Sequence, residues 1–294
     1  MIDRMYLDAP SLVYRAFFAL PKTIRDPQGR SVNAVRGFME MTTRLLTDRR
    51  PREVVAVFDA DWRPAFRVEA YAGYKSERQE DPPELPRQFD VLAEVLDTAG
   101  IVRAEAAGLE ADDVLATLVA RKPPGEQAAI VSGDRDLLAL VRDPDIVLLF
   151  PVKGVSELTV FDEAAVEEKY GVPPSLYPQF AILRGDSSDG LPGVAGIGPV
   201  RAVKLLREFG SVDAIIENLA ALPPKQALAF DQARDYLEAM KTVVRLVPDA
   251  EVEMTEAHQP NDDALHELGE VHGLKSSSAR LARAVAGGSQ GGAR

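Results

Sequence analysis

Residues 128–136 read AAIVSGDRD: an apolar run of strand length, a small-residue turn and two aspartates. A short aliphatic run closed by turn residues is the signature of a strand buried on both faces. Its acids then lie just past the strand's carboxyl end. The same arrangement recurs along the chain. Met5-Tyr6-Leu7 runs into Asp8, and Val54 to Phe58 runs into Asp59. Ile101-Val102-Arg103 leads through a loop to Glu110, Asp112 and Asp113, and Ile146 to Phe150 is a further buried run. Between these segments, residues 32–46, 87–98, 111–121 and 135–142 carry helical spacing. Such alternation predicts an α/β fold, a parallel-rich sheet flanked by helices, with its functional crevice outside the carboxyl ends of the strands. From about Asp162 the strands give way to helical segments separated by Gly and Pro. The expected organisation is a core over 1–160 with a long polar insertion at about 62–86, a helical region over 161–286, and a disordered tail over 287–294.

The 294-residue chain has no cysteine and only three histidines, His258, His266 and His272. Disulfides, thiolate chemistry and cysteine-based metal sites are thereby excluded, and imidazole chemistry is not expected to be central. No apolar run reaches transmembrane length, so no membrane partner is expected and a cytoplasmic location is. The net charge of −12 argues at first against a polyanionic partner. Setting aside the acids gathered at the strand ends leaves the remainder close to neutral, and the objection weakens.

Those acids are Asp8, Asp59, Glu110, Asp112, Asp113, Asp134 and Asp136, joined by Asp186 and Asp189 in the stretch GDSSDGLPG. Taken singly, each could be a helix cap or a turn residue. As a set at corresponding positions of successive units, they predict a shared crevice in which like charges need a cation. Oxygen-only ligands suit Mg²⁺ or Mn²⁺, and two such ions roughly 3.5–4 Å apart clamp the attacking and leaving oxygens of a phosphoryl displacement. Further on, Gly196-Ile197-Gly198 opens a helix beginning at Pro199, whose Arg201, Lys204 and Arg207 add positive charge. Exposed backbone N–H groups at such a turn suit a phosphate. With Leu191-Pro192-Gly193 before it, the segment at about 186–209 resembles a helix-hairpin-helix, a grip on a nucleic-acid backbone.

Together these pieces resemble the bacterial flap endonuclease, or 5′-nuclease, family, similar to the 5′-exonuclease domain of DNA polymerase I. The matching residues run in family order: Leu7-Asp8 with Tyr14-Arg15-Ala16-Phe17, Val57-Phe58-Asp59, Phe66-Arg67-x-Glu69-Ala70-Tyr71, Tyr74-Lys75-x-x-Arg78, Glu110-Ala111-Asp112-Asp113, Gly133-Asp134-Arg135-Asp136, Gly185-Asp186-x-x-Asp189 and Gly196-Ile197-Gly198. They cover about Met5 to Phe209 and thin out beyond Ser211. One departure is Ser132-Gly133-Asp134, where many relatives have Thr-Ala-Asp.

The resemblance implies a PIN-like core with the insertion forming a helical arch, in a free-standing enzyme. It implies two or more divalent cations, with Asp8, Asp59, Glu110 and Asp112 serving mainly one, and Asp134, Asp136, Asp186 and Asp189 mainly the other. Asp113 would act through water or from behind. Lys75 and Arg78 would face the scissile phosphate. Tyr14 and Tyr74 would stack on unpaired bases, and Arg15, Gly196, Gly198, Arg201 and Lys204 would contact the strand. Carbonyls of Gly193, Val194 and Ile197 would hold K⁺. The implied substrates are DNA with 5′ flaps, nicks or 5′ ends, and RNA–DNA hybrids, handled by a monomer near the nucleoid. Competing readings are a phosphatase using Asp59-x-Asp61 with a covalent aspartate, a non-catalytic DNA-structure binder, and a smaller RNA-directed nuclease of the same core.

Overall fold

The structure, a computed structural model, describes residues 2–153 and 157–289. Its sheet has strands β1 (Arg4–Asp8), β2 (Glu53–Val57), β3 (Val102–Glu105), β4 (Ala128–Val131), β5 (Ile146–Lys153), β6 (Glu157–Phe161) and β7 (Glu253–Met254). They lie in the order β6-β5-β4-β1-β2-β3-β7. β5, β4, β1, β2 and β3 are mutually parallel, and the edge strands β6 and β7 pair antiparallel. The first helices are α1 (Ala9–Ala19), α2 (Asn33–Arg49), α3 (Ala65–Ala70), α4 (Leu85–Thr98) and α5 (Ala111–Arg121). After the sheet come α6 (Glu163–Tyr170), α7 (Tyr177–Arg184), α8 (Pro199–Phe209), α9 (Val212–Glu217), α10 (Pro224–Gln232), α11 (Arg234–Val243), α12 (Asp262–Val271) and α13 (Lys275–Ser289).

Two apolar layers explain the strand sequences. Met5, Leu7, Ala56, Ala129 and Val131 point to one face, where Phe17 of α1, Phe38 of α2, Leu92 of α4 and Leu281 of α13 cover them. Tyr6, Val55, Val57, Ile130 and Leu148 point to the other, under Leu115 of α5, Phe180 of α7, Leu206 of α8 and Met240 of α11. A sheet buried on both faces needs continuous apolar strands rather than alternating ones. A slip of one residue in any pairing would exchange the two sets. The register therefore fixes where each strand ends: Asp8 stands opposite Val57, Leu7 opposite Val131, and Val57 opposite Ala104. The carboxyl ends of β4, β1, β2 and β3 are level and adjacent.

Four expectations are corrected. Residues 135–142 form no α-helix. Asp136–Leu140 is a short 3-10 turn, because Val141 turns extended and Arg142 already exchanges backbone hydrogen bonds with Ile146. Strands do not end at Asp162, since β7 adds to the β3 edge. The insertion forms no helical arch among the described residues. It holds the six-residue α3, then turns over 72–77, and lies against the strand ends. Finally, α13 continues through Ser289, three residues into the stretch expected as a tail. Residues 290–294 lie outside the described residues. No helix among the described residues is long and apolar enough to cross a membrane.

Candidate active site

Each acid is delivered by the end of a strand and held by its neighbours. Asp8 closes β1 and caps α1, accepting the Ser11 N–H at 3.2 Å and the Ser132 hydroxyl. Asp59, just beyond β2, accepts the Ala111 N–H at 2.7 Å in the first turn of α5. Glu110 and Asp112 arrive on that same helix start. Asp134 follows β4; its N–H donates to Ser132 Oγ at 2.8 Å, and its carboxylate accepts the Asp136 N–H at 2.9 Å. Ser132, fully buried, thus ties the first and fourth strand ends together. Asp8, Asp59, Glu110, Asp112 and Asp134 line one cavity of about 220 Å³ with Lys75, Arg78 and Tyr14. Asp112 also borders a small cavity of about 30 Å³ shared with Asp136 and Asp189. Acids from four strand ends thus line one cavity, and Asp189 of the 185–198 turn lines the smaller one; Asp186 lines neither.

The charges feel one another. Burial, reinforced by Asp134 and Asp59, pushes the Asp8 carboxyl up to about 7 against its hydrogen bonds from Ser132 and Ser11. Burial and then Asp134 and Asp8 raise Asp112 well above the carboxylate range. Burial followed by Asp134, Asp189 and Asp186 does the same to Asp136. Asp189 rises to about 6 through burial, partly offset by Lys75 and reinforced by Asp134 and Glu110. Asp134 recurs as a source of repulsion in all of these. Its hub position is a geometric result.

A carboxyl raised in the fold above its ordinary 3.8 stabilises the fold below that pH, and the contribution is lost as pH climbs through the folded value of about 7. Chelator-treated protein should therefore melt lower at pH 8 than at pH 5. A divalent cation, which competes with those protons, should raise the melting temperature more at pH 8. A melting temperature independent of pH and of cation would contradict this electrostatic picture.

Other expected site residues stand elsewhere. Asp113 is fully buried and faces Arg67, whose two terminal nitrogens donate to its carboxylate at 2.7 and 2.8 Å, while the Val247 N–H donates at 3.0 Å. It is a structural anchor, because the residue next to Asp112 on a helix points about 100° away. Arg67 also donates to Glu110 at 2.9 Å and to the carbonyls of Val243 and Arg245 at 2.9 and 3.1 Å. Tyr74 is buried and donates to Glu110 at 2.6 Å, so it has no face to offer a base. Asp186 closes its own turn, accepting Ser188 N–H at 3.1 Å and pairing with Arg184 at 2.9 Å. Burial alone would raise it, but Ser188, Arg184 and Arg135 hold it below the usual range. Arg15 reaches back to the Pro151 carbonyl. Asp61 is a turn residue that accepts the Arg63 N–H at 3.0 Å.

Lys75 bridges insertion and crevice. Its ammonium pairs with Glu110, and its N–H donates to the Asp189 carbonyl at 3.0 Å. Burial would lower its pKa, yet Glu110, Asp189 and Asp112 prevail and keep it raised, hence charged. Close contact here demands glycine at 190, with φ +72°: a Cβ would meet the Gly73 carbonyl oxygen at 2.4 Å. The 185–198 hairpin then joins α7 to α8. At its far end Gly196 takes φ +76° with open space around it, and Arg201 donates to its carbonyl at 2.6 Å. Gly198 caps α8, Lys204 is exposed, and the Val194 carbonyl accepts the Ile197 N–H at 2.9 Å.

Among the described residues no group of three or more His, Cys, Asp or Glu is already drawn tight enough to hold a metal ion. Arg67, Tyr74 and Lys75 occupy Glu110. The donor set nevertheless fits a hard divalent cation: it is oxygen-only, and burial followed by mutual repulsion raises Asp8, Asp112, Asp136 and Asp189.

Family models match residues 4–264, from β1 to the start of α12. One described as "5'-3' exonuclease, N-terminal resolvase-like domain" matches residues 4–171, and one described as "5'-3' exonuclease, C-terminal SAM fold" matches 172–264. A 5'-3' exonuclease of Streptomyces coelicolor is 44% identical over 94% of this chain and 98% of its own length. DNA polymerase I of Mycobacterium bovis is 43% identical over 90% of this chain, which spans 30% of that protein. Among solved structures, bacteriophage T5 D15 flap endonuclease in a complex with DNA and metal ions shares the fold, with a TM-score of 0.66 at 20% identity over 98% of this chain and 99% of that one.

Proposed function

The chain belongs to the 5'-3' exonuclease family and is a nuclease; on that premise we propose that it hydrolyses DNA phosphodiesters at 5′ flaps, nicks and 5′ ends, using divalent cations held by the strand-end acids. The observation that carries this reading is the convergence of Asp8, Asp59, Glu110, Asp112 and Asp134 in one crevice beside Lys75. Asp8, Asp59, Glu110 and Asp112 would hold one ion. Asp134, Asp136 and Asp189 would hold another, with Asp186 at its margin. Bound there, Mg²⁺ or Mn²⁺ would supply an activated water and neutralise charge on the reacting phosphate.

The chain's own residues do the rest. Ser132 and Ser11 orient Asp8, and Tyr74 and Arg67 orient Glu110. Lys75 places a permanently charged ammonium at the crevice, where it can pass from Glu110 to the scissile phosphate; Arg78 adds a second cation at the rim. The α7–α8 hairpin offers backbone N–H groups and Arg201 and Lys204 to the duplex beyond the cut, a sequence-independent grip. Carbonyls of Gly193, Val194 and Ile197 are the proposed K⁺ site of that hairpin. RNA–DNA hybrids are further candidate substrates, and a monomer suffices.

The test is incubation of a 5′-flapped duplex with the protein and Mn²⁺ or Mg²⁺, against a chelated control. Cation-dependent cutting near the junction is expected; uncut duplex, or cutting indifferent to chelator, would overturn the proposal. Lys75→Ala should slow single-turnover cleavage about a hundredfold or more, the size of one charge-stabilising donor, and weaken DNA binding less than fivefold, the scale of a single surface charge contact. Equal losses in both would remove Lys75 from the chemical step.

A further inference from the structure

Two buried donors stand idle beside the acids of the second proposed ion. Tyr177, Phe180 and Arg184 occupy positions i, i+3 and i+7 of α7 and so share one face. The Tyr177 ring lies 5.1 Å from Tyr170 and 5.9 Å from Phe180 between centroids. Arg184 turns back along the helix, its guanidinium 5.2 Å from the Phe180 ring. Tyr177 is completely buried, yet its hydroxyl meets no hydrogen-bond partner among the described residues, and neither does the Arg184 Nε–H. Folded interiors seldom leave such groups unpaired, because each has given up water and gained nothing in return. Packing alone would be served as well by phenylalanine.

The surroundings say what the hydroxyl is for. The face of α7 packs against the Asp136–Leu140 turn, and its Pro178 and Ala181 border the small cavity that holds Asp136 and Asp189. Burial raises the pKa of the Tyr177 hydroxyl, with Arg184 and Asp136 the strongest charges acting on it, so it keeps its proton. A terminal nitrogen of Arg184 donates to Asp186 at 2.9 Å.

We propose that Arg184, Tyr177 and Asp136 form a hydrogen-bonded relay when a divalent cation occupies the second position: the Arg184 Nε–H donates to the Tyr177 oxygen, whose O–H donates to the Asp136 carboxylate. The inference rests on the nuclease reading and assigns positioning residues to it. A hydroxyl suits the middle place because it accepts and donates at once, whereas a guanidinium only donates and a carboxylate only accepts. With a charge at each end, both bonds are strengthened. Arg184 then supports two acids of that ion, Asp186 directly and Asp136 through the tyrosine. Partners of this kind fix the direction of a ligand and tune its basicity. Asp8, Asp59 and Glu110, assigned to the first ion, have no link to the relay, so the two ions should respond differently to its loss.

Chelator-treated parent, Tyr177→Phe, Arg184→Lys and the double variant are titrated with Mn²⁺, the free ion being read by paramagnetic resonance. Tyr177→Phe should weaken the second ion by about tenfold or more, the usual scale for loss of a ligand's supporting partner, and leave the first unchanged. Its melting temperature without cation should equal or exceed the parent's, since the hydroxyl removed has no partner there. The Mn²⁺ concentration that half-saturates single-turnover cleavage of a 5′-flapped duplex should rise by the same factor. Arg184→Lys keeps a charge beside Asp186 but loses the Nε–H, and should weaken the second ion similarly. The double variant should lose little more than the worse single one, because either change already breaks the relay. Unaltered second-ion affinity in Tyr177→Phe, equal weakening of both ions, a lower melting temperature without cation, or a double loss equal to the product of the single ones overturns the inference. A parent that takes up no ion contradicts the nuclease reading as well; a parent that binds two, matched by Tyr177→Phe, defeats the relay alone.

Discussion

Asp134→Ala should lower the single-turnover rate of cation-dependent cleavage by about a thousandfold or more, roughly 4 kcal/mol of barrier. The expectation follows from its place in the charge network: it raises the pKa of Asp8, Asp112, Asp136 and Asp189. It stands exposed beyond β4, and among the described residues its carboxylate accepts one hydrogen bond, from the Asp136 N–H at 2.9 Å. On the proposed reading its removal takes away a shared ligand without opening the core. Relief of repulsion should leave chelator-treated Asp134→Ala at least as heat-stable as the parent at pH 8. Asp134→Asn keeps an acceptor for that N–H and should be equally inactive. If either variant cuts within tenfold of the parent rate, Asp134 holds no cation that matters.

Arg67→Met should have the largest effect on stability. Arg67 is 2% exposed and donates to the buried Asp113 and Glu110 carboxylates and to the carbonyls of Val243 and Arg245. Truncating it leaves the Asp113 carboxylate buried with only the Val247 N–H, and breaking a buried ion pair from one side is worth about 3–5 kcal/mol. Urea unfolding should show a midpoint shift of that order. Arg67→Met combined with Asp113→Leu should recover much of it, because the uncompensated charge is gone. Activity should not return, since Glu110 and the α3 segment would still lack their anchor. A shift under about 1 kcal/mol in the single variant would contradict this account.

The contrast between Asp112 and Asp113 shows how far the sequence could be read. Strand ends are legible because buried parallel strands are continuous apolar runs, and the acid that follows each run is forced to the same edge. That logic locates Asp8, Asp59, Glu110 and Asp134 without coordinates. It cannot separate two adjacent acids on one helix, because only the direction of each side chain distinguishes Asp112 in the crevice from Asp113 beneath it. Tyr74 was misplaced for a related reason, as the insertion folds down through Arg67 and Gly190, contacts far apart in sequence. β7 has two residues, too few for any pattern. The only sequence signal for Arg67 is a lone arginine in an apolar stretch, Phe66-Arg67-Val68. Ser132 likewise carries no sequence signal of its role, although its hydroxyl joins Asp8 to the Asp134 turn.

The central claim is that the strand-end acids bind divalent cations, and titration of chelator-treated protein with Mn²⁺, followed by loss of the free-ion paramagnetic resonance signal, tests it most directly. Saturable uptake of about two ions per chain at pH 8, weakened at pH 5 and reduced in Asp134→Ala, is the predicted result. Uptake that is absent, or the same in parent and variant at both pH values, would contradict it.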